Sequence, residues 1–183
     1  AFLGFWYHYP KVKTQPEDIK VDFIVITHEH SDHFHVPTLK RINRKIPIII
    51  PNFPNQRMHK ILKEIGFKVI LIDFGEKISL SDRIYVTCYE PKGLWNDSIQ
   101  LIEFDSFKWL NLNDAGINQS LVKKIFPVDV VSSTFSFGAS GYPLTWSSVS
   151  KKDAYKFMIN SNNGRIEQIK HAMDIYGAKY FVP

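Results

Sequence analysis

The sequence has 183 residues, 44% of them hydrophobic and 22% charged, with a formal net charge of +5, the make-up of a globular chain able to bury a core. No apolar run reaches the roughly 18 residues of a membrane span, and the lone Cys88 cannot close an internal disulfide, so a reducing, cytoplasmic setting is expected. The lysines are scattered rather than massed into a basic arm, so the positive charge reads first as a lysine-rich surface, with attraction of a phosphorylated substrate or a nucleic acid as the lesser alternatives.

The chain opens AFLGFWYHYP, without an initiator Met or a signal-peptide pattern. This reads as one domain over residues 1–183 with its first residues absent. So many aromatic side chains predict core packing, with a flap over the site, His8 included, as the lesser alternative. VDFIVIT (21–27) is β-branched and almost wholly apolar, the mark of a buried strand. VPTLKRI (36–42) has helical spacing with Pro37 in its first turn. KIPIII (45–50) predicts a strand, PNQRMHKILKEIG (54–66) a helix ended by Gly66, and FKVILI (67–72) another strand.

An all-β stretch follows, with RIYVTCYE (83–90), SIQLIEF (98–104) and FKWLNL (107–112) separated by turn residues. Asp105 and Ser106 leave room only for a tight hairpin. SLVKKIF (120–126) predicts a short helix and VDVVSST (128–134) a buried strand. FSFGASGYPLTW (135–146) is a loop in which Gly138, Gly141, Tyr142 and Trp146 are candidates for lining a substrate mouth, since Gly permits close backbone approach and aromatic rings stack on flat groups. An ordinary connecting loop is the alternative. Helical spacing begins near Lys151, is expected to break at SNNG (161–164), and resumes through RIEQIKHAMDIYG before AKYFVP closes as a strand. Elements in this order predict layered sheets with outer helices.

The chemistry is concentrated in ITHEHSDHFH (26–35), directly after the first strand. Residues two apart in extended backbone point the same way, so His28 and His30 can chelate one ion. A turn after His30 then aims Asp32 and His33 at a second ion. Imidazole and carboxylate suit zinc, iron or manganese, and this many polar groups at a strand end would need partners if no metal were held. His35 is expected to serve the following helix, and His59 and His171 fall within helices.

HEHSDH resembles the His-x-His-x-Asp-His motif of the metallo-β-lactamase superfamily, which also follows an apolar strand and a threonine. That resemblance implies an α+β, four-layer αββα sandwich, here lacking part of its N-terminal strands, with two divalent ions, zinc foremost, at one edge of the sheets. It implies His28 and His30 on the first ion and Asp32 and His33 on the second. WLNLNDAG (109–116) is similar to the family element bearing the bridging aspartate, which assigns Asp114 that role; on the residues alone, a carboxylate before Gly reads as a turn residue. The family also places a histidine where this chain has VTCYEPKG, so Glu90 or Cys88 is the substitute, or neither. A last family histidine would follow AKYFVP.

The order HEHSDH, LNDAG, FGASGYPLTW and YGAKYFVP is also similar to the metallo-β-lactamase-like domain of the CMP-N-acetylneuraminate hydroxylases, with the ascorbate-6-phosphate lactonase group as a wider neighbour. The implied activity is metal-dependent hydrolysis of an ester, lactone or phosphodiester bond by an activated hydroxide, with Asp32 and His33 as the catalytic candidates and a small molecule as partner. The alternatives are a component of a sugar-nucleotide hydroxylase, whose Rieske cysteines are not in this sequence, and a metal-binding module without catalysis.

Overall fold

The structure is a computed structural model and describes residues 12–93, 96–134 and 146–183. Three parallel strands, β1 (Ile24–Val25), β2 (Ile48–Pro51) and β3 (Val69–Ile72), form one sheet in the order β1-β2-β3. The second sheet has six strands: β4 (Lys77–Ser79), β5 (Ile84–Tyr89), β6 (Ile99–Phe104), β7 (Phe107–Asn113), β8 (Val130–Ser133) and β9 (Tyr180–Val182), in sequential order. It is antiparallel from β4 to β7 and parallel from β7 to β9. Among the described residues the α-helices are α1 (Val36–Leu39), α2 (Arg57–Ile65), α3 (Val122–Ile125) and α4 (Lys151–Tyr176).

Strand alternation sorts the apolar side chains into three layers of core. On β2, Ile48 and Ile50 pack with Leu39, Met58 and Leu62 beneath α1 and α2, whereas Ile49 between them packs with Ile72, Val86 and Cys88 between the sheets. On the other side, Ile99, Leu101, Leu110 and Leu112 meet Ile125, Ala172 and Tyr176 of α3 and α4. Helices therefore cover the outer face of each sheet, and the expected αββα layering is present.

Three local expectations need correction or addition. SNNG does not interrupt α4, which runs unbroken from Lys151 to Tyr176. A glycine in a helix interior costs only about 1 kcal/mol against alanine, and docking of the C-terminal half through Ala172 and Tyr176 outweighs it. β4 is invisible to pattern reading because Lys77–Ser79 is three residues with exposed ends. The first strand is also shorter than its apolar run, pairing only at Ile24 and Val25. No helix among the described residues is long and apolar enough to cross a membrane.

Candidate metal centre

The histidine cluster leaves the end of β1 as a turn in which the His30 carbonyl accepts from the backbone N–H groups of His33 (2.9 Å) and Phe34 (2.7 Å). Phe34 is buried in the helix-side core and pins the turn. The polar side chains that precede it are thereby gathered at the rim of the sandwich.

Asp114 reaches the same place from the second sheet. β7 bulges between Asn111 and Asn113, and Asn113 takes the left-handed conformation at φ 49°, which asparagine tolerates better than most residues. A bulge at a strand end re-aims the next side chain along. Asp114 Oδ1 accepts from the Thr134 hydroxyl, while Oδ2 lies 3.8 Å from His28 Nε2 and 3.4 Å from His33 Nε2.

Two groups of potential ligand atoms result, each within 4.8 Å: His28, His30 and Asp114, and Asp32, His33 and Asp114. His28 Nε2 and His30 Nδ1 are 2.8 Å apart, and Asp32 Oδ2 is 3.6 Å from His33 Nε2. Converging imidazole nitrogens and carboxylate oxygens suit a borderline divalent cation, so the donor set fits the ions that the sequence implied. Asp114 belongs to both groups.

His28 is fully buried, and its environment favours the neutral ring. Burial and the neighbouring His33 and His30 push its pKa down to about 4. Its Nδ1 stands 2.9 Å from Thr27 Oγ1 and 3.2 Å from Asp97 Oδ1. A proton on Nδ1 meets a hydroxyl and a carboxylate there, which leaves the Nε2 lone pair facing His30 and Asp114. Asn113 Nδ2 donates to Thr27 Oγ1 (2.8 Å) and to Asp97 Oδ1 (3.1 Å) and holds both acceptors in place.

Asp97 is a residue that sequence reasoning misses. NDS before an apolar strand reads as a turn, yet Asp97 is only 5% exposed. Its burial pushes the carboxyl pKa up, against hydrogen bonds from the Ser98 backbone and Asn113 that lower it. A buried carboxylate so far along the chain from a histidine cluster carries no local signature.

Among the other candidates, Glu90 belongs to neither ligand group; it is exposed, and its backbone carbonyl accepts from Asn118 Nδ2 at 3.0 Å. Cys88 lies in the core between the sheets, where burial pushes its thiol up to about 12. His35 N-caps α1 and its Nδ1 pairs with Thr38 Oγ1 at 2.7 Å, as expected of a helix-entry residue. His59 Nδ1 donates to Gln56 Oε1 at 3.1 Å. Trp146 is exposed, with its ring 5.8 Å from that of Phe157 on α4. Gly138, Gly141, Tyr142 and His8 lie outside the described residues.

Beside the ligand groups opens a cavity of about 860 Å³, whose wall includes Asp32, His33, Asp114 and Thr134 together with Arg165 and Gln168 of α4. This volume lies within the range of small-molecule sites.

No family model matches the chain. In sequence it is similar to the cytidine monophosphate-N-acetylneuraminic acid hydroxylase of Danio rerio, 26% identical over 155 residues that make up 80% of this chain and 26% of that protein. The chain thus spans about a quarter of the length of that relative. In structure it is similar to the metallo-β-lactamase fold protein YhfI from Bacillus subtilis, with a TM-score of 0.55, 15% identity, and 70% of this chain and 55% of that one covered. The isothiocyanate hydrolase from Delia radicum gut bacteria superposes with a TM-score of 0.53 at 14% identity, over 66% of this chain and 51% of that one. The chain has the metallo-β-lactamase fold.

Proposed function

We propose that this chain is the catalytic domain of a metal-dependent hydrolase acting on an ester, lactone or phosphodiester bond of a small molecule. The observation that carries the reading is the sharing of Asp114 between two ligand groups drawn from both sheets. His28, His30 and Asp114 would hold one divalent ion, and Asp32, His33 and Asp114 the other. Such ions supply an acidified water and polarise the attacked carbonyl or phosphoryl oxygen.

The protein's own groups do the rest. Asp97 and Thr27 would accept a proton from His28 Nδ1 and so leave Nε2 to an ion, and Thr134 holds the Asp114 carboxylate by one oxygen so that the other faces the histidines. The side chain of Asp32 is 63% exposed, so it can reach a water in the cavity and accept its proton. Glu90 has no part in this scheme.

The test is metal content by mass spectrometry, followed by hydrolysis of chromogenic esters and phosphodiesters after loading with zinc, manganese or ferrous ion. Two ions per chain and turnover that is lost in Asp114→Ala are expected. Ions bound without turnover of any substrate class would replace this reading with a non-catalytic metal module.

The similarity to the CMP-N-acetylneuraminic acid hydroxylase supports a second reading, a component of a sugar-nucleotide hydroxylase. A Rieske centre needs two cysteines, and Cys88 is alone, so that centre would come from elsewhere. Hydroxylation of a CMP-linked sugar by the protein supplied with an electron donor and O₂, without hydrolysis of the test esters, would favour it.

A further inference from the structure

We propose that a second cavity, between the sheets beside the metal centre, binds an uncharged, amide-bearing group, which Gln100 recognises and the Trp109 ring stacks against. That this group belongs to the substrate rests on the hydrolase reading; the site itself rests on the cavity.

Cross-strand partners share a face of a sheet, so the register sets Cys88, Gln100, Asn111 and Ser132 in one row across β5, β6, β7 and β8. Cys88 packs in the apolar layer between the sheets. The row therefore faces the first sheet, and from Gln100 onward it is polar. Two of its three polar side chains are engaged: Asn111 Oδ1 accepts from the Asn113 backbone N–H at 3.1 Å, and Ser132 Oγ accepts from the Trp109 indole N–H at 2.7 Å. Gln100 is only 2% exposed, yet its Nε2 has no hydrogen-bond partner. An orphaned buried amide is destabilising, and an apolar side chain of similar size would avoid that cost.

Gln100 lines a cavity of about 400 Å³, a volume within the range of small-molecule sites. Among the described residues, the lining holds no carboxylate, lysine or arginine. An ion entering it would lose hydration without a counter-charge from this wall, whereas an uncharged group avoids that penalty. A glutamine amide presents a carbonyl and an NH₂ side by side, and a turn about its last bond exchanges them. A ligand edge with its own N–H and C=O answers both. Trp109, 38% exposed, stands on the same wall and offers a flat ring to a planar group. His33, Asn113 and Thr134 line both this cavity and the larger one that contains Asp32 and Asp114. A molecule seated on Gln100 thus has a route to the metal centre.

The probe is 2-piperidone, a lactam with N–H and C=O on one edge; cyclohexanone, which keeps the ring and carbonyl, is the control. Both are titrated into metal-loaded protein, with the Trp109 indole N–H resonance as the readout, assigned through Trp109→Phe. The wild type should bind the lactam roughly twofold to tenfold more tightly than the ketone, the size of one hydrogen bond between neutral groups. Gln100→Leu should bind the two equally. Equal binding in the wild type, or a preference that survives in Gln100→Leu, overturns the site. In urea unfolding without ligand, Gln100→Leu should be at least as stable as the wild type, because it deletes an unpartnered amide at similar volume. A lowered midpoint would assign the amide to holding the fold and refute the proposal. Where an ester is hydrolysed, 2-piperidone should inhibit the wild type and spare Gln100→Leu; binding without inhibition would remove the link to the substrate. If no ester is cleaved, the hydrolase reading falls while the titration still decides the site.

Discussion

Removing the Asp97 carboxylate should weaken metal binding at a residue that touches no ion. Asp97 Oδ1 stands 3.2 Å from His28 Nδ1 and accepts from Asn113 Nδ2 at 3.1 Å and from the Ser98 backbone at 2.6 Å. In Asp97→Ala the Ser98 N–H loses this acceptor, the Nδ1 proton keeps only the Thr27 hydroxyl, and the His28 ring loses the charge that makes Nε2 a stronger donor. Outer-shell partners of this kind are worth about tenfold to a hundredfold in metal affinity, or roughly 1.4–2.8 kcal/mol. Asp97→Asn keeps an acceptor without the charge and should fall between wild type and alanine. Competition against a chromophoric chelator measures the affinity of each variant, with urea unfolding of the metal-free forms as the control for folding. Unchanged affinity in a folded Asp97→Ala protein would refute the claim that Asp97 sets the His28 tautomer.

Three further outcomes are expected. The pKa of His28 is pushed down to about 4 from 6.5, so protons bind the unfolded chain first; metal-free stability should fall as pH drops from 6.5 toward 4, by up to about 3 kcal/mol, and His28→Gln should lack this part of the slope in urea titrations. Gly177 has φ +65°, and a Cβ there would come within 2.6 Å of the ring of Phe126, an exposed side chain that can swing aside, so Gly177→Ala should lower stability by about 1–2 kcal/mol, mainly through the left-handed backbone, in the same assay; an unchanged midpoint would contradict this. Cys88 is fully buried with its thiol raised to about 12, so iodoacetamide should label it only after unfolding, and rapid labelling of the native chain would speak against its place between the sheets.

The parts of the fold that the sequence announces are those with a period. The helix face of Met58, Leu62 and Ile65 is readable from spacing alone. So is the hairpin at Asp105 and Ser106, where Asp105 adopts φ 52°. The histidine cluster is legible because its ligands are neighbours in the chain and an apolar strand precedes them. The groups that complete the centre are less so. Asp114 has the local pattern of a turn residue, and only its resemblance to a known element singles it out. Asp97 and Asn113 meet His28 across 69 and 85 positions of sequence, by burial and strand register that no local pattern encodes. At 161–164 the mismatch runs the other way: an unfavourable local sequence is carried by a helix whose other half is docked.

The junction at Thr27 has a mechanical consequence. Its backbone carbonyl takes the Ser98 hydroxyl at 2.9 Å, and its own hydroxyl takes Asn113 Nδ2, so the tip of one sheet is laced to two strands of the other beside His28. Shearing the layers past one another would tear this lacing and turn the imidazole. Any cation that locks the ring in place would therefore also rivet the sandwich, and its binding energy would appear as resistance of β1, β6 and β7 to amide exchange.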